Sequence, residues 1–180
     1  MSKRDTCIFM FGRMNPVHIG HGYVFEHALQ LEKDLNADLK LFLSATVDDV
    51  KNPLPLELKQ YYIDGFYPDI GRVLQGSKSQ LFDIMTDLDG KYHNIIFVGG
   101  SDRKDEFQKT LDKYNGSLYN FANISTVMAG SQREESVFSS TMMRNCARNQ
   151  DFDNFRLALP GDDEVLKYKM FVDVYERIRK

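Results

Sequence analysis

Thr6-Cys7-Ile8-Phe9-Met10-Phe11, followed at once by Gly12-Arg13-Met14-Asn15-Pro16-Val17-His18-Ile19-Gly20-His21, decides how this chain is read. The first six residues are β-rich and nearly all apolar, the pattern of a strand buried on both faces. Gly12 allows a tight exit from that strand, and Pro16 stiffens the loop behind it. From Gly20 to Leu35 the spacing turns helical, with Val24, Ala28, Leu31 and Leu35 on one side. A buried strand that passes through a short loop into an amphipathic helix is the opening unit of a parallel α/β fold.

The alternation continues outward from that unit. Strands are expected at Leu39 to Ala45, within Asp69 to Leu74, at Asn94 to Val98 and at Asn123 to Met128. Helices are expected at Leu56 to Phe66, with Leu56, Gln60, Ile63 and Tyr67 on one side, and at Ser79 to Leu88 and Asp102 to Tyr114. Three more are expected at Ser139 to Arg148, Phe152 to Leu159 and from Asp162 to the end. In the last helix, acidic Asp162, Asp163 and Glu164 crowd the first turn and basic Arg177, Arg179 and Lys180 the last, opposing the macrodipole at both ends. The expected architecture is a Rossmann-like, doubly wound α/β fold, a mainly parallel sheet with helices on both faces. It is read as a single domain over residues 1–180, with a C-terminal helical portion from about residue 139.

His18 and His21 carry the first chemical signal. Three residues apart at a helix start, they project to one side. They lie beside main-chain N–H groups that have no partner within the helix, which favours an anion site and stabilisation of charge growing on a phosphate. Zinc is the lesser reading, because no Cys pair or third His stands at a recognisable spacing. His27 and His93 read as structural or surface residues.

Composition narrows the class. The chain has 180 residues, 42% hydrophobic and 12% aromatic, enough for a proper core. With 23 Lys and Arg against 26 Asp and Glu, the net charge of -3 disfavours general nucleic-acid binding. The polar start leads into an apolar run too short for a secretory signal, and no stretch approaches the ~18 apolar residues of a membrane span. Cys7 and Cys146 make no disulfide framework and suit a reducing cytoplasm.

Gly12-Arg13-x-Asn15-Pro16-x-His18-x-Gly20-His21 resembles the signature of the HxGH nucleotidylyltransferase superfamily. Three further segments resemble it in the same order along the chain. Lys51-Asn52-Pro53-Leu54 looks like the Asn-Pro loop of nicotinamide mononucleotide adenylyltransferases and small phage-encoded members, with Lys51 bordering phosphates and Lys59 read as a surface helix position. Val98-Gly99-Gly100-Ser101-Asp102 looks like the Gly-x-Asp turn that approaches the nucleotide. Ser139-Ser140-Thr141-Met142-Met143-Arg144 resembles the second signature, with Phe138 in place of the usual Ile. Hydroxyls there cap a helix whose N–H groups would face a polyphosphate.

The resemblance implies in-line transfer of a nucleoside monophosphate from an NTP to a phosphorylated acceptor, releasing pyrophosphate. It implies His18, His21, Arg144 and Lys51 as catalytic residues. Gly12, Arg13, Met14, Asn15, Gly20, Gly99, Asp102, Ser139, Ser140 and Thr141 would bind the nucleotide. Mg2+ is expected with the ATP, held largely through triphosphate oxygens and water. Asn15, where cytidylyl-transferring and pantetheine-phosphate members carry Asp, tilts the reading to ATP and nicotinamide mononucleotide. The chain has no Trp to stack on a pyridine ring, so one of its Phe or Tyr residues would take that place. Other acceptors (phosphopantetheine, glycerol phosphate, a sugar phosphate) and CTP remain open, as do a catalytically silent nucleotide-binding protein and an oligomer. A class I aminoacyl-tRNA synthetase is disfavoured by length, and a dehydrogenase by the absence of Gly-x-Gly-x-x-Gly after the first strand.

Overall fold

The computed structural model describes residues 4–100, 104–129 and 138–180. Five strands form one sheet: β1 (Thr6–Gly12), β2 (Asp38–Ser44), β3 (Leu74–Lys78), β4 (Asn94–Gly99) and β5 (Asn123–Met128). Their order is β3-β2-β1-β4-β5, and every neighbouring pair is parallel. This is a Rossmann-like, doubly wound α/β fold. The strand order reverses beside β1, which places a crevice outside the carboxyl ends of β1 and β4.

The helices are α1 (Ile19–Leu35), α2 (Leu56–Phe66), α3 (Pro68–Gly71), α4 (Leu81–Leu88), α5 (Lys104–Lys113), α6 (Ser140–Arg148), α7 (Phe152–Phe155) and α8 (Glu164–Arg177). A 3-10 turn, Arg156–Ala158, follows α7. Two apolar clusters show how the layers divide. One gathers Ile8, Met10 and Leu41 from the sheet with Phe25, Tyr62, Ile63, Met143, Phe155 and Met170 from α1, α2, α6, α7 and α8. The other gathers Cys7, Phe9 and Phe97 with Ile84, Met85 and Leu111 from α4 and α5. Alternate residues of β1 enter opposite clusters, which is why the strand is apolar throughout.

Local corrections follow from tertiary packing. The span 69–74 holds no strand at its start: Pro68–Gly71 is a helical turn, and β3 begins only at Leu74. Proline at the first helical position favours that turn. In α1 the buried face is Gly22, Val24, Phe25 and Ala28, while Leu35, the last residue before the Asn36 cap, is 49% exposed. In α2 the buried residues are Lys59, Tyr62 and Ile63. The last helix ends at Arg177, so Arg179 does not serve its C-terminus. Instead Arg179 pairs with Asp49 at 3.1 Å and donates its main-chain N–H to the Asp49 carbonyl at 2.7 Å.

Candidate functional site

His18 is the N-cap of α1. Its Nδ1 accepts the Gly20 main-chain N–H at 2.9 Å, and His21 Nδ1 accepts the His18 N–H at 3.1 Å. The two imidazoles thus make a reciprocal capping box, a role usually taken by Ser or Thr with Glu or Gln. This alters the expectation of open main-chain donors here, since His18 occupies the N–H of Gly20 and His21 that of His18. It also sets the tautomer. With Nδ1 accepting, the proton of each neutral ring resides on Nε2, at the edge away from the cap. The rings lie 4.0 Å apart. Burial pushes His18 down to about 4. Burial, then the neighbouring His18, holds His21 well below the ordinary imidazole range. At neutral pH the pair therefore presents two uncharged Nε2–H donors.

Both rings line a cleft of about 430 Å³ with Met10, Phe11, Gly12, Met14, Gly20, Val24, Val98, Gly99, Gly100, Ala129 and Phe138. It lies beyond the carboxyl ends of β1 and β4, where the strand order places a ligand. Gly99 and Gly100 keep its wall thin. A Cβ on Gly100 would come within 3.2 Å of Val24, and one on Gly99 within 3.2 Å of the Met128 sulfur. A larger groove, lined by Arg4, Glu26, Glu32 and Arg72 among others, flanks the opposite edge, where the strands begin.

A second cleft of about 430 Å³ opens at the same sheet edge. Phe11, Gly12, Arg13, Ser44, Thr46, Ser79, Leu81, Phe97 and Phe107 line it. Phe11 and Gly12 border both clefts.

The second signature comes to the first one directly. Ser139 caps α6, its Oγ accepting the Met142 N–H at 3.0 Å. Ser140 Oγ donates to the Pro16 carbonyl at 2.8 Å. Arg144 donates to the Asn15 carbonyl at 2.9 Å and to Thr141 Oγ1 at 3.1 Å. Burial, then Arg13 and Arg148, lowers the Arg144 pKa, whereas Asp48 raises it. Arg144 stands near two other guanidiniums, a concentration of positive charge suited to an anion.

Ser139, Ser140, Thr141 and Arg144 themselves line neither cleft, and other expected residues lie elsewhere as well. Asn15 is 1% exposed and faces neither cleft. Its amide Nδ2 donates to the Leu54 carbonyl at 2.9 Å, and its Oδ1 accepts the Leu54 N–H at 2.8 Å. This two-point clamp joins the first loop to the Asn52-Pro53-Leu54 segment and consumes the side chain. Lys51 is exposed and lines neither cleft. Its loop is organised by Asp48, whose Oδ1 accepts the N–H groups of Val50, Lys51 and Asn52. Asp102 lies outside the described residues. Lys59, expected at the surface, is 2% exposed and bonds the carbonyls of Arg13 and Ser44.

In the second cleft Gly12 and Arg13 belong to the first motif, whereas Phe11, Leu81, Phe97 and Phe107 carry no motif signal. Ser44 ends β2 and Thr46 follows it, on a loop that the sequence already places at the carboxyl edge, whereas Ser79 follows β3. The expected strand within 69–74 ended too early to reach Ser79.

Among the described residues, no group of three or more His, Cys, Asp or Glu side chains is placed to hold a metal ion. No described helix is long and apolar enough to cross a membrane.

The fold is thus of the Rossmann-like class, with its cleft at the strand-order reversal. No protein-family model and no curated protein matches the chain. Solved structures do match its fold. A crystal structure from Vibrio parahaemolyticus, assigned as a nicotinate-nucleotide adenylyltransferase, aligns with a TM-score of 0.54 at 16% identity over 92% of this chain and 98% of that one. Thermotoga maritima TmcAL bound with alpha-thio ATP aligns with a TM-score of 0.54 at 12% identity, over 93% of this chain. The chain spans about half the length of TmcAL, 55%. At these identities the likeness establishes the fold.

Proposed function

We propose that the chain is a nucleotidylyltransferase that transfers AMP from ATP to nicotinamide mononucleotide, forming NAD and pyrophosphate. The observation that carries the reading is the pair of neutral Nε2–H donors on His18 and His21 at the crevice, with Arg144 bonded to the same loop. Fixed donors aimed at developing phosphate charge are what this chemistry requires of a protein. The attacking phosphate oxygen is already nucleophilic, so no protein nucleophile or general base is needed. The fold of the two matched structures supports the reading, one being assigned to adenylyl transfer and the other holding an ATP analogue.

In this reading ATP occupies the cleft beside His18 and His21, and the acceptor occupies the second cleft. An acceptor oxygen attacks the α-phosphate, and the bond to pyrophosphate breaks in line. His18 and His21 donate to the triphosphate and strengthen as charge grows. Arg144 and the start of α6 hold the leaving pyrophosphate, and Lys51 reaches it from its exposed loop.

The second cleft favours an aromatic acceptor. It combines Phe11, Phe97 and Phe107 with the hydroxyls of Ser44, Thr46 and Ser79 and the guanidinium of Arg13. A pyridine ring with a ribose phosphate fits that lining better than glycerol phosphate or phosphopantetheine, which bring no ring. Asn15, occupied by Leu54, contributes through loop shape.

Mg2+ would neutralise charge on the triphosphate. Among the described residues, no carboxylate lines either cleft, which suits an ion held by phosphate oxygens and water.

The test is a pyrophosphate-release screen of ATP and CTP against phosphorylated acceptors with Mg2+. Turnover with ATP and nicotinamide mononucleotide, identified as NAD, supports the reading. Turnover only with CTP and a ringless acceptor rejects the substrate pair. No release with any pair, while ATP still binds, indicates a silent nucleotide-binding protein.

A further inference from the structure

Lys59 is a buried cation without a carboxylate. It is 2% exposed, and among the described residues no acidic side chain forms a salt bridge with it. Its ammonium donates to the Ser44 carbonyl at 2.7 Å and to the Arg13 carbonyl at 3.2 Å. These carbonyls belong to the last residue of β2 and the first residue beyond β1. Both residues line the second cleft. Burying an ammonium is unfavourable unless its donors are satisfied. A Leu or Met at this position of α2 would pack into the same core at no such penalty. The charge is thus placed where two strand ends meet at the ligand-bearing edge.

We propose that Lys59 is a positioning residue for the transfer reaction, pinning the main chain at the ends of β1 and β2 so that Arg13 and Ser44 stay in register at the acceptor cleft. This rests on the adenylyl-transfer reading above. Lys59 acts through Arg13 and touches no substrate. Two carbonyls 31 residues apart in sequence, at 13 and 44, are held by one ammonium, so the spacing between the strands' exits follows from its geometry. A misplacement of about 1 Å at a reacting pair can lower the rate by about 10²-fold.

Burial alone pulls the Lys59 pKa down to about 8. The groups bonded to its ammonium are the uncharged main-chain carbonyls of Arg13 and Ser44. From α2 itself Glu57 is exposed, and from β2 and the loop after it the bonded group is an uncharged carbonyl. Above pH 8 the ammonium becomes an amine, losing one of its three donors and its charge. The free enzyme then holds both carbonyls less firmly.

The experiment measures Lys59→Met, Arg13→Ala and the double variant, with NMN and ATP as substrates and ATP binding followed by calorimetry. Lys59→Met is expected to lower kcat with NMN by about 10²-fold and to raise the NMN KM, while ATP affinity changes by less than about threefold. In the Arg13→Ala background the same change should add little, the signature of two residues acting as one unit. Wild-type kcat/KM for NMN should fall as pH rises through about 8, and Arg13→Ala should flatten that limb.

If Lys59→Met only lowers the melting temperature and leaves kcat and KM of the folded protein unchanged, the proposal is overturned. Should Lys59→Met fail to fold, a wild-type kcat/KM that stays flat from pH 7 to 9.5, about one and a half units past the expected midpoint, overturns it as well. A wild type that releases no pyrophosphate rejects the adenylyl-transfer reading, and this proposal with it. An active wild type with indifferent Lys59 variants rejects the proposal alone.

Discussion

Replacing His18 by Asn separates the helix cap that the structure gives this side chain from the phosphate donor proposed for it. The Nδ1 of His18 caps α1 by accepting the Gly20 N–H at 2.9 Å, and its Nε2–H faces away from that bond on a ring lining the cleft. Asn is among the best N-cap residues, and its Oδ1 stands where Nδ1 stood, but nothing replaces Nε2. His18→Ala removes both groups. Loss of the cap is expected to cost about 1 kcal/mol, a fall of about 2–4 °C in melting temperature for a chain of this size. His18→Asn should melt close to wild type. Turnover should drop by about 10²–10³-fold in both variants, because each lacks one preorganised donor to the growing phosphate charge. ATP affinity should change far less, since ground-state contacts are shared among many groups. The assays are pyrophosphate release at saturating ATP and NMN, melting by circular dichroism, and ATP titration by calorimetry. A folded His18→Asn protein with turnover within about threefold of wild type would refute the donor assignment and leave His18 as a cap alone.

Arg144→Ala should lower kcat/KM by about 10–100-fold, the worth of a charge-assisted contact, and Arg144→Lys should recover only part because a lysine cannot reproduce the two-point geometry; steady-state kinetics with ATP varied will tell. Asn15→Asp should destabilise the fold by about 1–3 kcal/mol, since a carboxylate cannot donate to the Leu54 carbonyl that Nδ2 now bonds at 2.9 Å. It should leave the choice between ATP and CTP unchanged, and a switch toward CTP in a competition assay would show that the side chain reaches the nucleotide. Stability should fall in acid: His18 is held neutral down to about 4 while the unfolded chain takes up a proton near 6.5, so the folded state binds fewer protons in that window. The stability due to His18 is complete above pH 6.5 and is lost as pH falls toward 4, by at most about 1.4 kcal/mol per pH unit. Urea unfolding from pH 7.5 to 4.5 should show this slope in the wild type and a smaller one in His18→Asn.

The alternation of apolar strands with amphipathic helices was legible because each signal is local. β1 is apolar at successive positions, and the residues of Leu56–Phe66 by themselves mark α2. The motif from Gly12 to His21 could be located, and its expectation of a strand, a loop and a helix start matches the structure. Whether the histidines stabilise the helix or face a ligand could not be decided from spacing, because an imidazole has two nitrogens and both roles use the same residue. The structure shows that Nδ1 takes the first role and that the cap does not use Nε2.

What lay beyond the sequence is everything that depends on contacts between distant segments. Asn15 looks like a specificity residue in a string of letters, yet Leu54, 39 residues away, occupies its amide. Lys59 looks like a solvated position on α2, yet the sheet edge closes over it and gives it two carbonyls. Arg179 looks like a helix-terminal charge, yet Asp49, 130 residues away, takes it. A residue's type fixes which bonds it can make; only the packing of the sheet against its helices decides which partner comes within 3 Å, because buried polar groups must find one wherever the chain brings it.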